Sequence, residues 1–159
     1  MQVKVVDNTD IVAKTLEGIA GEYLTDGARL LLSQVQSNTR VDTGQTKGSW
    51  RSVVEKDRAV VGSDDPNAIW EEFGTGHYAL DGNGRQDPWY IPVEGYLGHK
   101  KPTFEGKVTI VYGKGGKAYY KTDGKRPTRA LFNAKQTTAP QLEKHFWDLF
   151  HQQMGKYTK

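Results

Sequence analysis

The sequence predicts an α+β fold: a long N-terminal helix, a small, mostly antiparallel β-sheet with a long β-rich flap, and a C-terminal helix. Three observations lead there. Apolar residues recur every three or four positions near both ends of the chain. Short β-branched and aromatic runs, bounded by turn residues, fill the region between. Glycines are dense in the second half of that region, which predicts loops and hairpin tips rather than a packed core.

Taken in order, residues 2–6 (QVKVV) alternate and are β-branched, as a short strand would be. Asp7, Asn8, Thr9 and Asp10 then offer candidate helix N-caps. Val12, Leu16, Ile19, Ala20, Tyr23, Leu24, Ala28, Leu31 and Val35 share one face of a helix over 11–35. Gly18, Gly21 and Gly27 each weaken it by up to about 1 kcal/mol. A kink near Asp26–Gly27, or close packing on the Gly side, would explain them. Asp42, Thr43 and Gly44 form a turn that ends the helical region. Residues 49–55 and 58–62 read as two strands separated by Lys56–Asp57, a tight hairpin. Asp64–Asn67 is a further turn. Residues 68–73 form a short apolar and acidic segment that Gly74, Thr75 and Gly76 break.

Residues 77–125 form the expected flap, an insertion within one domain spanning 1–159. It carries strand candidates at 89–93 and 107–112 and basic, solvated tips. From Thr128 onward, Ala130, Leu131 and Ala134, then Leu142, Phe146, Leu149, Phe150 and Met154, recur at helical spacing. Pro140 either starts a new helix there or kinks a long one.

Composition limits the chemistry. The 159-residue chain is 36% hydrophobic, with a formal net charge of +3 and a pI near 9.0. That is basic, but too weakly so to identify a nucleic-acid binder. Cysteine is absent, which excludes disulfides, thiolate metal sites and cysteine nucleophiles. No run approaches the roughly 18 apolar residues of a membrane span. The first residues lack a signal peptide's apolar core, so a cytoplasmic site of synthesis and residence is expected.

Several motifs resemble catalytic ones. Gly113–Lys117 lacks the strand–loop–helix context and Ser/Thr of a phosphate loop, so it reads as a hairpin turn. Asp42-Thr43-Gly44 lacks the second acidic loop that aspartic-protease chemistry requires. Asp87, Glu105 and Lys107 are the residue types of a Mg²⁺ nuclease. His77, His99, Asp81 and Asp87 match no standard metal spacing. The adjacent Glu71 and Glu72 cannot form an acid/base pair, because neighbouring side chains diverge. Lys100, Lys101, Lys114, Lys117, Lys121, Lys125 and Arg126, interleaved with Tyr112, Tyr119 and Tyr120, suit a solvated hairpin, with nucleic-acid contact as the alternative.

Three pieces stand in a telling order: Val41-Asp42-Thr43-Gly44 with Gly48-Ser49-Trp50; Ala68-Ile69-Trp70-Glu71-Glu72-Phe73-Gly74-Thr75-Gly76; and Arg126-Pro127-Thr128-Arg129-Ala130-Leu131-Phe132-Asn133-Ala134. The chain thereby resembles the head–tail joining, tail-completion or neck proteins of long-tailed bacteriophages, over roughly residues 9–76 and 126–150. The EFGTG piece is the most specific. Arg40 and Lys47 depart from the family's usual Pro and Leu, and the 77–125 segment is longer than a minimal member needs.

The resemblance implies a structural virion subunit, made in the host cytoplasm, that forms a ring with copies of itself at the head–tail junction or tail top. A hexamer is expected. It implies contacts to a head-completion or connector protein and to the tail tube or tail terminator protein, with DNA a possible lumen occupant. It implies no catalysis, cofactor, metal or membrane. On this reading Trp70 and Phe73 share a buried face of a helical turn, and Glu71 and Glu72 point outward or along a seam. Trp70, Glu71, Glu72, Phe73, Lys100, Lys101, Lys114, Lys117 and Lys121 are interface candidates. Asp42, Thr43, Gly44, Gly74, Thr75 and Gly76 are turn-forming. The competing expectations are the nuclease and a DNA-binding module that uses the flap.

Overall fold

The computed structural model describes residues 7–41, 44–94 and 109–157. The strand expected over residues 2–6 lies outside them, as do Asp42, Thr43, His99, Lys100, Lys101, Glu105 and Lys107. The fold is α+β, with long helices near both ends of the chain and two small sheets between them in sequence. Backbone packing divides the chain into two compact units. One comprises Met1–Gln34, Arg51–Gly62 and Ala134–Lys159, and the other Val35–Trp50 and Ser63–Asn133.

The first unit is helical, with one hairpin. Helix α1 is Thr9–Asn38, of which the part up to Gln34 belongs here. Its start is fixed by Asp7, whose carboxylate accepts the Thr9 hydroxyl at 2.6 Å and the Thr9 N–H at 2.9 Å. Of the expected apolar face, Ile19 and Ala28 are buried, whereas Leu16 is exposed. Helix α4 is Ala130–Met154, a single helix with Pro140 inside it. Pro140 supplies no N–H to the Gln136 carbonyl. Leu149 is buried on α4, while Trp147 is exposed.

The two helices meet where the sequence places a glycine. A Cβ on Gly27 would come within 3.2 Å of Leu142 Cδ2, so the missing side chain allows close approach. Beside it, Tyr23 packs edge-on against Phe146 with ring centroids 5.5 Å apart, and His145 Nε2 lies 3.2 Å from Asp26 Oδ2. Strands β1 (Trp50–Val54) and β2 (Ala59–Ser63) pair, and the Glu55 N–H closes the turn on the Arg58 carbonyl at 2.8 Å. This is the expected hairpin.

The second unit contains helices α2 (Gln45–Ser49) and α3 (Asn67–Phe73). It also holds a three-stranded antiparallel sheet of β3 (Trp89–Pro92), β4 (Thr109–Tyr112) and β5 (Ala118–Thr122) in the order β3-β5-β4. The flap expectation falls on this sheet, and Gly113–Lys117 is the β4–β5 turn, with Gly113 N–H bonded to Lys117 O. The register sorts the side chains. Tyr120 and Thr122 of the central strand are buried on one face, with Ile91 opposite Tyr120. Tyr119 and Lys121 stand on the other face, between Pro92 and Tyr90 on β3 and Val111 and Thr109 on β4. Helix α2 is not predicted by the sequence reading; at five residues it is too short to show a period.

Candidate interaction surface

The EFGTG stretch forms a corner whose construction starts one turn earlier. Asp65 is buried and accepts hydrogen bonds from the Asn67 N–H (3.0 Å) and the Thr46 hydroxyl (2.7 Å), which sets the start of α3. Asn67 to Phe73 then make two helical turns. Gly74 ends them at φ 75° and ψ 178°, with its N–H on the Trp70 carbonyl. Gly76 follows at φ 60°. Both positions need glycine for space as well as torsion. A Cβ on Gly74 would lie 2.6 Å from the Tyr78 carbonyl oxygen, and one on Gly76 only 2.1 Å from that of Asp123.

The crowding at Gly76 arises because residues 75–77 run beside 123–125. The Thr75 N–H bonds to the Lys125 carbonyl at 2.9 Å, and the His77 N–H to that of Asp123 at 3.0 Å. The Thr75 hydroxyl accepts the Lys125 N–H at 3.0 Å. Gly124 completes the crossing, since a Cβ there would sit 2.1 Å from the Thr75 carbonyl oxygen. Thr75 is thus a strut between two chain segments as well as a turn residue. Gly124 is a contributor the sequence reading missed, hidden in an ordinary-looking Thr-Asp-Gly turn.

Glu71 and Glu72 do not point outward or along a seam, as the sequence suggests; both carboxylates bind the same chain. Glu71 pairs with Lys125, both largely buried, and accepts the Thr128 hydroxyl at 2.8 Å. The Glu71 carbonyl also takes the Thr128 N–H at 2.6 Å. Glu72 accepts the Leu131 and Phe132 N–H groups, at 2.9 and 3.0 Å, at the first turn of α4. Those N–H groups have no helical acceptor, and the helix dipole favours an anion there. Immediately before α4, Arg129 takes a left-handed φ of 54°, and its guanidinium lies 3.6 Å from the Phe132 ring centroid. The two acids therefore lock the EFGTG corner to the Arg126–Ala134 piece, a link that sequence order alone does not reveal.

The apolar residues of the corner behave oppositely. Trp70 and Phe73 share a side of α3 but do not pack into a core: they are 54% and 49% exposed. Ile69 is 59% exposed and Leu80 47%. With the acids turned inward, the apolar side chains are left on the outside. They line a groove of about 1100 Å³ together with Trp89 and Arg85. Four large exposed apolar side chains around one groove suit protein contact better than open solvent.

The remaining expected residues lie elsewhere. Lys114 and Lys117 are exposed at the β4–β5 turn, and Lys121 is half-buried on the open sheet face. Gly44 has φ 85° at the start of α2, as a turn glycine should. Asp87 is exposed, and His77 bonds through its ring to the Gln86 carbonyl. Among the described residues, no three His, Asp or Glu side chains are placed to hold a metal ion, and no helix is long and apolar enough to cross a membrane. No protein-family model matches this chain, and neither a curated protein nor a solved structure shows significant similarity to it.

Proposed function

We propose that this chain is a structural subunit of a phage particle, forming a ring at the head–tail junction or tail top that completes the tail or joins it to the head. The observation that carries the reading is the exposed apolar corner: Ile69, Trp70, Phe73 and Leu80 around one groove, on a backbone fixed by three crowded glycines and two inward carboxylates. A rigid mount with an apolar surface suits a contact made repeatedly in one geometry. A closed ring uses heterologous contacts, so this corner is one face and a different surface of the neighbouring copy is the other. The resemblance of the EFGTG and RPTRALFNA pieces to head–tail joining proteins supplies the class of assembly.

Electron microscopy of particles made without this chain tests the proposal. Filled heads and finished tails that remain separate are the expected result. Intact particles in normal number would refute it.

A further inference from the structure

We propose that the open face of the β3-β5-β4 sheet binds single-stranded nucleic acid. This inference does not rest on the exposed apolar corner, and it gives Lys114, Lys117 and Lys121, expected from the sequence as subunit-interface residues, a different role. The strand register places Lys121 at the centre of that face, directly between Tyr90 and Thr109, with Tyr119 two residues along between Pro92 and Val111. Tyr90 is 55% exposed. The Tyr119 ring is held in place over Gly113, where a Cβ would meet Cε2 at 3.0 Å. Lys114 and Lys117 stand exposed at the turn beyond Tyr119.

Every polar side chain on this face of the three strands is a hydroxyl or an ammonium. The nearest carboxylates in sequence, Asp87, Glu94 and Asp123, lie just outside the ends of β3 and β5 rather than within the strands. The face therefore offers hydrogen-bond donors and positive charge to a polyanion, and aromatic rings to its bases. Size selects among polyanions. Three strands span about 10 Å and four residues about 13 Å, which accommodates two or three nucleotides of one strand. A duplex keeps its bases stacked and could use only the cations. Stacking on tyrosine is open to a strand whose bases are free.

The experiment is fluorescence anisotropy with the full chain and a labelled oligothymidylate of about ten nucleotides. A duplex of equal length and polyglutamate serve as competitors. The single strand is expected to bind and to compete better than either, with affinity falling as salt rises. Y90A should weaken binding by about five- to a hundredfold, and Y90L, which keeps apolar bulk without a ring, should do the same. K121A should lower the slope of log affinity on log salt by about 0.7. No binding at low salt, equal competition by polyglutamate or duplex, or full affinity in both Tyr90 variants would overturn the proposal. Equal competition by polyglutamate would point instead to an acidic protein partner. Unchanged melting of each variant by circular dichroism shows that a loss of binding is not a loss of fold.

Discussion

Glu72 illustrates how a residue's role depends on what its neighbours leave free. Its carboxylate binds two N–H groups at the start of α4, so E72A is expected to lower stability by about 1–2 kcal/mol, read by urea denaturation. E72Q should recover part of that loss, because an amide oxygen can still accept. Glu71 and Lys125 are a largely buried pair, and removing one strands the other. The loss of stability in the E71A/K125A double variant should therefore be smaller than the sum of the losses in E71A and K125A. G76A is the harshest change: the new Cβ would overlap the Asp123 carbonyl, and a loss of at least about 3 kcal/mol is expected. Asp7 gives a pH signature. The Thr9 hydroxyl and, secondarily, the Thr9 N–H hold its carboxyl below the ordinary carboxylate value. Its contribution to helix capping is present above the unfolded-state pKa and lost as pH falls through the lower folded value. D7N should flatten the acid-side change in helical ellipticity. The sequence revealed the glycines of EFGTG as turn residues. It could not reveal the direction of the glutamates, which depends on segments more than fifty positions away.

Helices and strands were legible where their period was long enough to see. Helix α1, the β1–β2 hairpin, α3 as a short turn and strands β3 and β4 all follow from local pattern. The C-terminal helix follows from its period as well, but the new helix start expected at Pro140 does not occur: Ala130–Met154 is one helix that carries Pro140 inside it. The apolar stripe of α1 overstates burial, because Leu16 fits the period yet stays exposed; periodicity defines a face, and packing decides how much of it is covered. The helix glycines separate into two kinds. A Cβ added at Gly18 or Gly21 would meet nothing within 4 Å, whereas one at Gly27 would press on Leu142. Gly-to-Ala replacement should stabilise by about 0.5–1 kcal/mol at the first two positions. At Gly27 the helix-propensity gain is offset by the contact, so little or no stabilisation is expected. Chemical denaturation of the three variants, compared at equal pH, checks this difference.

At the scale of the whole molecule, the exposed corner is the surface proposed to meet another protein subunit. The sequence pointed to Trp70 and Phe73 but assigned them to a buried face; their exposure makes the case for contact stronger. It also changes the informative experiment. Substituting Glu71 or Glu72 damages the corner itself, whereas the side chains of Trp70 and Phe73 can be altered without removing a hydrogen bond that holds it. The most direct measurement is the fraction of joined particles when W70D/F73D replaces the wild-type chain, counted by electron microscopy alongside the melting curve of the purified variant. The account predicts a fold that melts as the wild type does and particles that fail to join. Joined particles at the wild-type fraction would contradict it.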